Sequence, residues 1–380
     1  HFSQGVQVMT ERKSHARYAV LILGLVLVLV FPGLAAASGP GFIGQFNHID
    51  LIASTVPANG DLNPYGVAVV PQTMGALVKG NVLVSNFNNK KNLQGTGTTI
   101  VEIAPNGGFK LFAKINPARL PGACPGGVGL TTALVALRTG WVIVGSLPTK
   151  DGTAATAQAG CLIVLNRWGE VVETFAGGPI NGPWDMTALD GGDFAALFVT
   201  NVLNGTVAAG GKAVNQGTVV RINLAQDDDE MPRILSEKVI GSGFGERTDP
   251  AALVIGPTGV GLSAGGTLFV ADTLGNRITA IPNAPGRSTS AGTGNLVSQN
   301  GALNGPLGLA VAPNGDILTA NSGDGNFVET TPAGVQLAVR TVDTSTPGGA
   351  GGDLFGLAIA PGGTGVYFVN DGNNALYLLH

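Results

Sequence analysis

Gly256-Pro-Thr-Gly-Val-Gly-Leu-Ser-Ala-Gly-Gly-Thr-Leu-Phe-Val-Ala-Asp272 and Gly305-Pro-Leu-Gly-Leu-Ala-Val-Ala-Pro-Asn-Gly-Asp-Ile-Leu-Thr-Ala-Asn321 are one phrase written twice, 49 residues apart and without a gap. Each reads as a Gly/Pro turn, an apolar strand, a Gly-containing tight turn, and a second apolar strand ending on Asp or Asn. Pro313-Asn-Gly315 and Asp190-Gly-Gly192 are such turns. Glycine there supplies positive φ without steric cost.

Six copies can be read, with inner strands starting near Tyr65, Val128, Trp184, Thr258, Leu307 and Phe355. Second strands follow, for example Val82–Asn86 and Val366–Asn370, and third strands such as Cys161–Asn166. No amphipathic helix of useful length separates them. Short strands repeating at this period predict an all-β fold, a six-bladed β-propeller of four-stranded blades. Five copies carry a fourth strand, for example Phe109–Ile115, whereas the sixth ends at Ala375–Leu379 without one. An open blade would leave a sheet edge exposed. The orphan segment Phe46-Asn-His-Ile-Asp-Leu-Ile-Ala53 is therefore expected to close the last blade.

Residues 1–37 read as upstream residues and a secretory signal. Met9 reads as the start, followed by Arg12, Lys13 and Arg17, an apolar run from Ala19 to Phe31, and Ala35-Ala36-Ala37. This order matches the n-region, h-region and small-residue cleavage site of an exported protein. A retained anchor is the rival reading, since Ala19 to Ala37 is just long enough to span a thin bilayer. The propeller domain is then 38–380, secreted or periplasmic, with no membrane span in the mature chain. Cys124 and Cys161 fall in the exported part, where a disulfide can persist. Closing that loop would contribute about 4 kcal/mol; two separate buried thiols are the alternative.

Charged residues are only 12% of the chain and Asp plus Glu (24) slightly outnumber Lys plus Arg (20). Nucleic acid, which needs a dense basic patch, is excluded as a partner. Only His48 and His380 remain after residue 38, so a histidine triad or a multi-His zinc site is not expected. No phosphate-cradling loop occurs.

Leu268-Phe-Val-Ala-Asp-Thr-Leu-Gly-Asn-Arg-Ile-Thr-Ala280 resembles the NHL repeat phrase, with one extra residue in its turn. The chain from 38 onward is similar to exported bacterial NHL-repeat and gluconolactonase-like six-bladed propellers, nearest to an uncharacterised exported group. The resemblance implies fold more than chemistry. Lyase members of that set rely on histidine-type groups that are missing here. Gluconolactonase-like enzymes place an acidic calcium ligand on the first inner strand, where this chain reads Asn63-Pro-Tyr-Gly66.

Propeller connectivity sends the first-to-second and third-to-fourth connections to one face, and the second-to-third and inter-blade connections to the other. The longest segments, Phe87–Thr98, Pro148–Gly160, Val202–Gly217, Asn116–Gly127, Gly241–Ile255 and Gly286–Asn304, all belong to the second class. Long irregular loops are where binding usually sits, so this face is expected to work. Asn86, Asn201, Asp272, Asn321 and Asp371 at its rim are expected to serve Asx turns. Aligning the inner-strand starts puts Gly66, Gly129, Gly259, Gly308 and Gly356 in one column, with Asp185 as the single departure. Tyr65, Trp184 and Phe355 stand one column earlier, and Asn63 and Asp353 share a further one. These six, Asp185, Trp184, Tyr65, Phe355, Asn63 and Asp353, are the candidate ligand-binding set. Asp185, Asn63 and Asp353 are its candidate metal ligands, whose oxygens would suit calcium. The acidic run Asp227-Asp-Asp-Glu230 is assigned to a solvated turn on the opposite face. The leading expectation is a monomeric propeller binding a partner protein, glycan or small-molecule ligand on its long-loop face. The alternative is a calcium-assisted hydrolase or lyase centred on Asp185.

Overall fold

Second and third strands such as Val142–Ser146, Cys161–Leu165 and Val366–Asn370 are apolar at nearly every position and buried along their whole length. A strand half-exposed to water alternates; one packed on both faces does not. Among the described residues no α-helix covers these sheets, so they bury one another face to face, as blades around an axis. A computed structural model describes residues 41–343 and 352–380 in that arrangement. The signal-like segment and its cleavage site lie outside the described residues.

Six antiparallel sheets form the ring. Blade 1 is Leu62–Val69, Val82–Asn88, Thr99–Ile103 and Phe109–Lys114, and blade 2 is Leu130–Ala136, Val142–Ser146, Cys161–Leu165 and Val171–Phe175. Blade 3 comprises Pro183–Asp190, Phe194–Asn201, Val214–Ala225 and Arg233–Asp249. Blade 4 is Pro257–Leu262, Leu268–Asp272, Arg277–Ile281 and Asn295–Gln299. Blade 5 is Pro306–Val311, Ile317–Asn321, Asn326–Thr330 and Gln336–Thr341. Blade 6 has Leu354–Ile359, Val366–Asn370 and Ala375–Leu379, and its outer strand comes from the other end of the chain, Ile49–Ser54. Ile49 pairs with Leu379 and Ser54 with Ala375. The closing strand starts three residues later than Phe46 because Phe46 is drawn into the core with Phe42, Phe327 and Phe368.

Blade 3 departs from four strands. Its outer hairpin is extended, with Val214 opposite Glu246, and the chain then folds back as Leu253–Ile255 against Arg247–Asp249. Most of the expected irregular segment Gly241–Ile255 and the end of Val202–Gly217 are therefore strand. Gly286–Asn304, expected on the long-loop face, instead contains the outer strand Asn295–Gln299 and the third-to-fourth connection leading into it. Asp249 makes the tight return, its Oδ1 accepting the amides of Ala251 and Ala252.

The inter-blade ties fall where the repeat places its polar side chains. Asn86 donates to Thr55 O, Asn321 to Ala302 O, and Asn201 Oδ1 accepts the Asn181 amide. Asp272 accepts the Gly275 amide and pairs with Arg277 Nε at 2.7 Å, closing the turn of the NHL-like phrase. Cys124 and Cys161 form a disulfide that fastens the blade 1–2 connection to the third strand of blade 2. Among the described residues no helix is long and apolar enough to cross a membrane.

Candidate functional site

Each inner strand is the terminal strand of its sheet, so six backbone edges face the central channel. The level at which Asp185 sits is set by strand pairing. Val67 lies opposite Val84, Val260 opposite Val270 and Leu309 opposite Thr319, which aligns Gly66, Gly259, Gly308 and, in blade 6, Gly356 with Asp185. In blade 2 Leu134 lies opposite Val144, so the residue at this level is Ala133 and not Gly129. A register shift between Leu130 and Leu134 absorbs the difference, and Gly129 packs against the Gly95 backbone instead. Blades 1, 4, 5 and 6 need glycine here because the next blade's inner strand presses on it. A Cβ at Gly308 would run into the carbonyl of Phe355, and one at Gly356 into that of Tyr65.

One position toward the long-loop face, the channel is filled. Tyr65 and Phe355 stack with centroids 3.8 Å apart, and the Trp184 ring lies 6.4 Å from each. Phe87 stacks on Tyr65 at 4.4 Å. These rings are buried in one cluster with Ala252, Leu253, Val254 and Ile255, the return strand of blade 3 and the residue leading into it. The Trp184 indole donates to Val254 O at 3.1 Å. Leu253 is 1% exposed and holds φ at 62°, a costly conformation for a leucine. The aromatic set thus packs as a plug with a hairpin cap, not as an open pocket rim.

The plug divides the candidate residues. Asn63 and Asp353 stand two residues before Tyr65 and Phe355, at the long-loop end. Asn63, itself at φ 62°, is buried; its amide bonds Asn374 Oδ1 at 2.7 Å. Asp353 accepts the Asp371 amide through its carbonyl. Burial, then the neighbouring carboxylates of Asp353 and Asp343, raises Asp371 to about 8. Burial, then Asp371, also holds the Tyr65 phenol well above its usual value. Asp185 lies past the plug, three positions of strand from the Asn63 level, or about 10 Å. The proposed metal trio is therefore not brought together. Among the described residues no group of three His, Cys, Asp or Glu is arranged to hold a metal.

Two cavities result. On the long-loop face, Gln94, Thr153, Gly211, Arg247, Asp249 and Leu253 border a cavity of about 510 Å³. Its walls come from the lengthened second-to-third connections of blades 1, 2 and 3 and from the cap. Gln94 Nε2 donates to Pro250 O at 2.9 Å while its Oε1 is buried without a partner. Arg247 and Asp249 pair at 3.0 Å. Sequence reading had the connections but not these residues; the Asp249-Pro250 turn signal was the one available clue. On the opposite face the channel itself is open, a cavity of about 440 Å³ with Asp185 near its closed end and Pro71, Arg138 and Asp190 at its rim. Asp185 thus faces the short-loop side.

The acidic turn is also placed there, and it is more than solvated. Asp227 O accepts the Trp141 indole, and Arg167 bonds Asp228 O and pairs with Asp229 at 3.7 Å, joining blades 2 and 3.

The architecture defines a six-bladed β-propeller. Solved structures similar to it include a gluconolactonase from Xanthomonas campestris (12% identity, 88% of this chain and 93% of that chain, TM-score 0.53). A calcium-binding regucalcin from Agrobacterium tumefaciens (14%, 87% and 93%, TM-score 0.54) and a PQQ-bound aldose sugar dehydrogenase from Streptomyces coelicolor (15%, 87% and 97%, TM-score 0.53) are alike too. No protein-family model and no curated protein matches the chain.

Proposed function

We propose that this chain is an exported propeller that binds a small molecule, or the end of a glycan, in the long-loop cavity. The observation that carries it is the wall of that cavity: three connections and the blade 3 cap converge on it, and among the described residues one buried acceptor, Gln94 Oε1, lacks a protein partner. A volume of about 510 Å³ suits a ligand of metabolite size. Concavity favours such a ligand over a flat protein surface. Export rests on the signal-like segment 9–37. The similar propellers named above act on sugars or bind calcium by their names, which agrees with a small polar ligand. The test is a thermal-shift screen of sugars, sugar acids and lactones, repeated on Thr153→Trp, which fills the cavity mouth. A ligand whose shift survives that substitution and Gln94→Leu would remove the site from this cavity.

A calcium-assisted hydrolase or lyase is the second reading, and it moves from Asp185 to the plugged mouth. Asp371 sits among like charges, and Asn63 Oδ1 is buried without a hydrogen-bond partner. Those oxygens fit a hard cation. Bound there, calcium would polarise a carbonyl or lactone oxygen; Asn63 and Asp371 would hold the ion. Calorimetric calcium titration of the protein and of Asp371→Asn decides it: equal, or absent, calcium binding in both ends this reading.

A further inference from the structure

The short-loop cavity has a composition unlike the other. Six terminal strands turn their backbone edges toward it; at the Asp185 level some of those groups are met by side chains, as Gly66 N is by Ser85 Oγ and Thr258 O by Thr200 Oγ1. Into this polar tube projects one carboxyl group. Asp185 Oδ2 accepts the Val260 amide at 3.0 Å, and the one further donor facing the carboxylate is the backbone amide of its neighbour Met186. Among the described residues no cationic side chain pairs with it. The inner strands of blades 1, 2, 4, 5 and 6 carry no ionisable side chain except Tyr65, which lies in the plug. The second strand of blade 3, packed behind Asp185, carries none either. At the rim, Arg138 is engaged with Asp190: its amide donates to Asp190 Oδ2 at 2.6 Å and its guanidinium to the Asp190 carbonyl.

We propose that the short-loop end of the channel binds a small primary amine, its ammonium group against Asp185 and its body along the tube. A carboxylate removed from water without a counter-charge is costly, and a cation that brings its own donors removes that cost. An ammonium offers three donors, matched by the Asp185 carboxylate and the carbonyls of the channel edges. One carboxylate is too few for a tight calcium or magnesium site. A bare alkali ion would leave a cavity of about 440 Å³ mostly to water. An anion would meet no available base. This site lies on the face opposite the long-loop cavity and does not depend on it.

The affinity is expected to depend on pH. Burial raises Asp185 to about 7, opposed by bonds from the Met186 and Val260 amides. The amine is charged throughout, so only the carboxyl titrates. Binding is therefore stronger at pH 8 than at pH 5, by about 100-fold from two decades of protonation below a value near 7.

The experiment is calorimetric titration of the full chain with n-butylamine, with n-butanol as the uncharged isostere. Expected are binding of the amine at pH 8, loss of affinity at pH 5 and no comparable binding of the alcohol. Asp185→Asn, which keeps the shape, should abolish the pH dependence and weaken the amine at least tenfold, about 1.4 kcal/mol. Asp228→Asn, on the same face but outside the channel, should leave it unchanged. Equal binding of amine and alcohol, no amine binding at pH 8, or affinity retained in Asp185→Asn would each overturn the proposal.

Discussion

The indole N–H of Trp184 is bonded to the carbonyl of Val254, 70 residues further along the chain, and this contact pins the blade 3 hairpin over the end of the channel. It couples a residue of the channel lining to the wall of the long-loop cavity.

Trp184→Phe keeps a ring in the stack but removes the donor. It should lower stability by about 1 kcal/mol. Hydrogen exchange should quicken across Arg247–Asp249 and Leu253–Ile255, the two strands of the cap. Unchanged protection there would mean that the cap is held by packing alone.

Removing Phe46 to Ala53 takes away most of the closing strand and one ring of the neighbouring core. The cost should be several kcal/mol, a large part of a domain's net stability. The freed edge of Ala375–Leu379 should also promote association. A truncated protein that stays monomeric with an unchanged Tm would contradict this role.

Cys124→Ser with Cys161→Ser should destabilise the fold by up to about 4 kcal/mol. Peptide mapping without reductant should recover the two cysteines in one linked fragment. Two freely alkylated thiols in the folded protein would contradict it.

Asp185, Glu246 and Asp371 are raised by burial to about 7, 8 and 8. Each therefore holds its proton more tightly folded than unfolded. Their contribution is complete below about pH 4 and is lost as pH rises through 7 to 8. These groups make the protein more stable at pH 5 than at pH 8, by a few kcal/mol at each unrelieved site. Asp185→Asn should raise Tm at pH 8 more than at pH 5. If the variant follows the parent across that range, Asp185 is not the group titrating.

The ring was legible because burial on both faces writes itself as unbroken apolar strands, and because each blade repeats one turn chemistry. The need for a closing strand followed from counting edges. The site was less legible. The Gly column reflects the press of one inner strand on the next, and Asp185 stood out against it, but which face it serves depends on what blocks the channel. That is decided by Leu253 and its neighbours folding back over Trp184. Such a long-range contact has no periodicity to betray it. Gly129 entered the column wrongly because blade 2 absorbs a register shift before Leu134, which matching strand starts cannot detect.

The pairing of Ile49 with Leu379 also sets a timetable. Asp50 and His380, whose side chains meet at 2.9 Å, are 330 residues apart, so a ribosome adding about 5 to 20 residues per second needs about 15 to 65 s between them. Throughout that interval the first strand has no partner, while blades 1 to 5 can form behind it. The ring is therefore an act of completion: its last seam cannot be sewn until Leu379 has emerged. A factor that shields Ile49–Ser54 during synthesis would delay closure and leave the finished blades untouched.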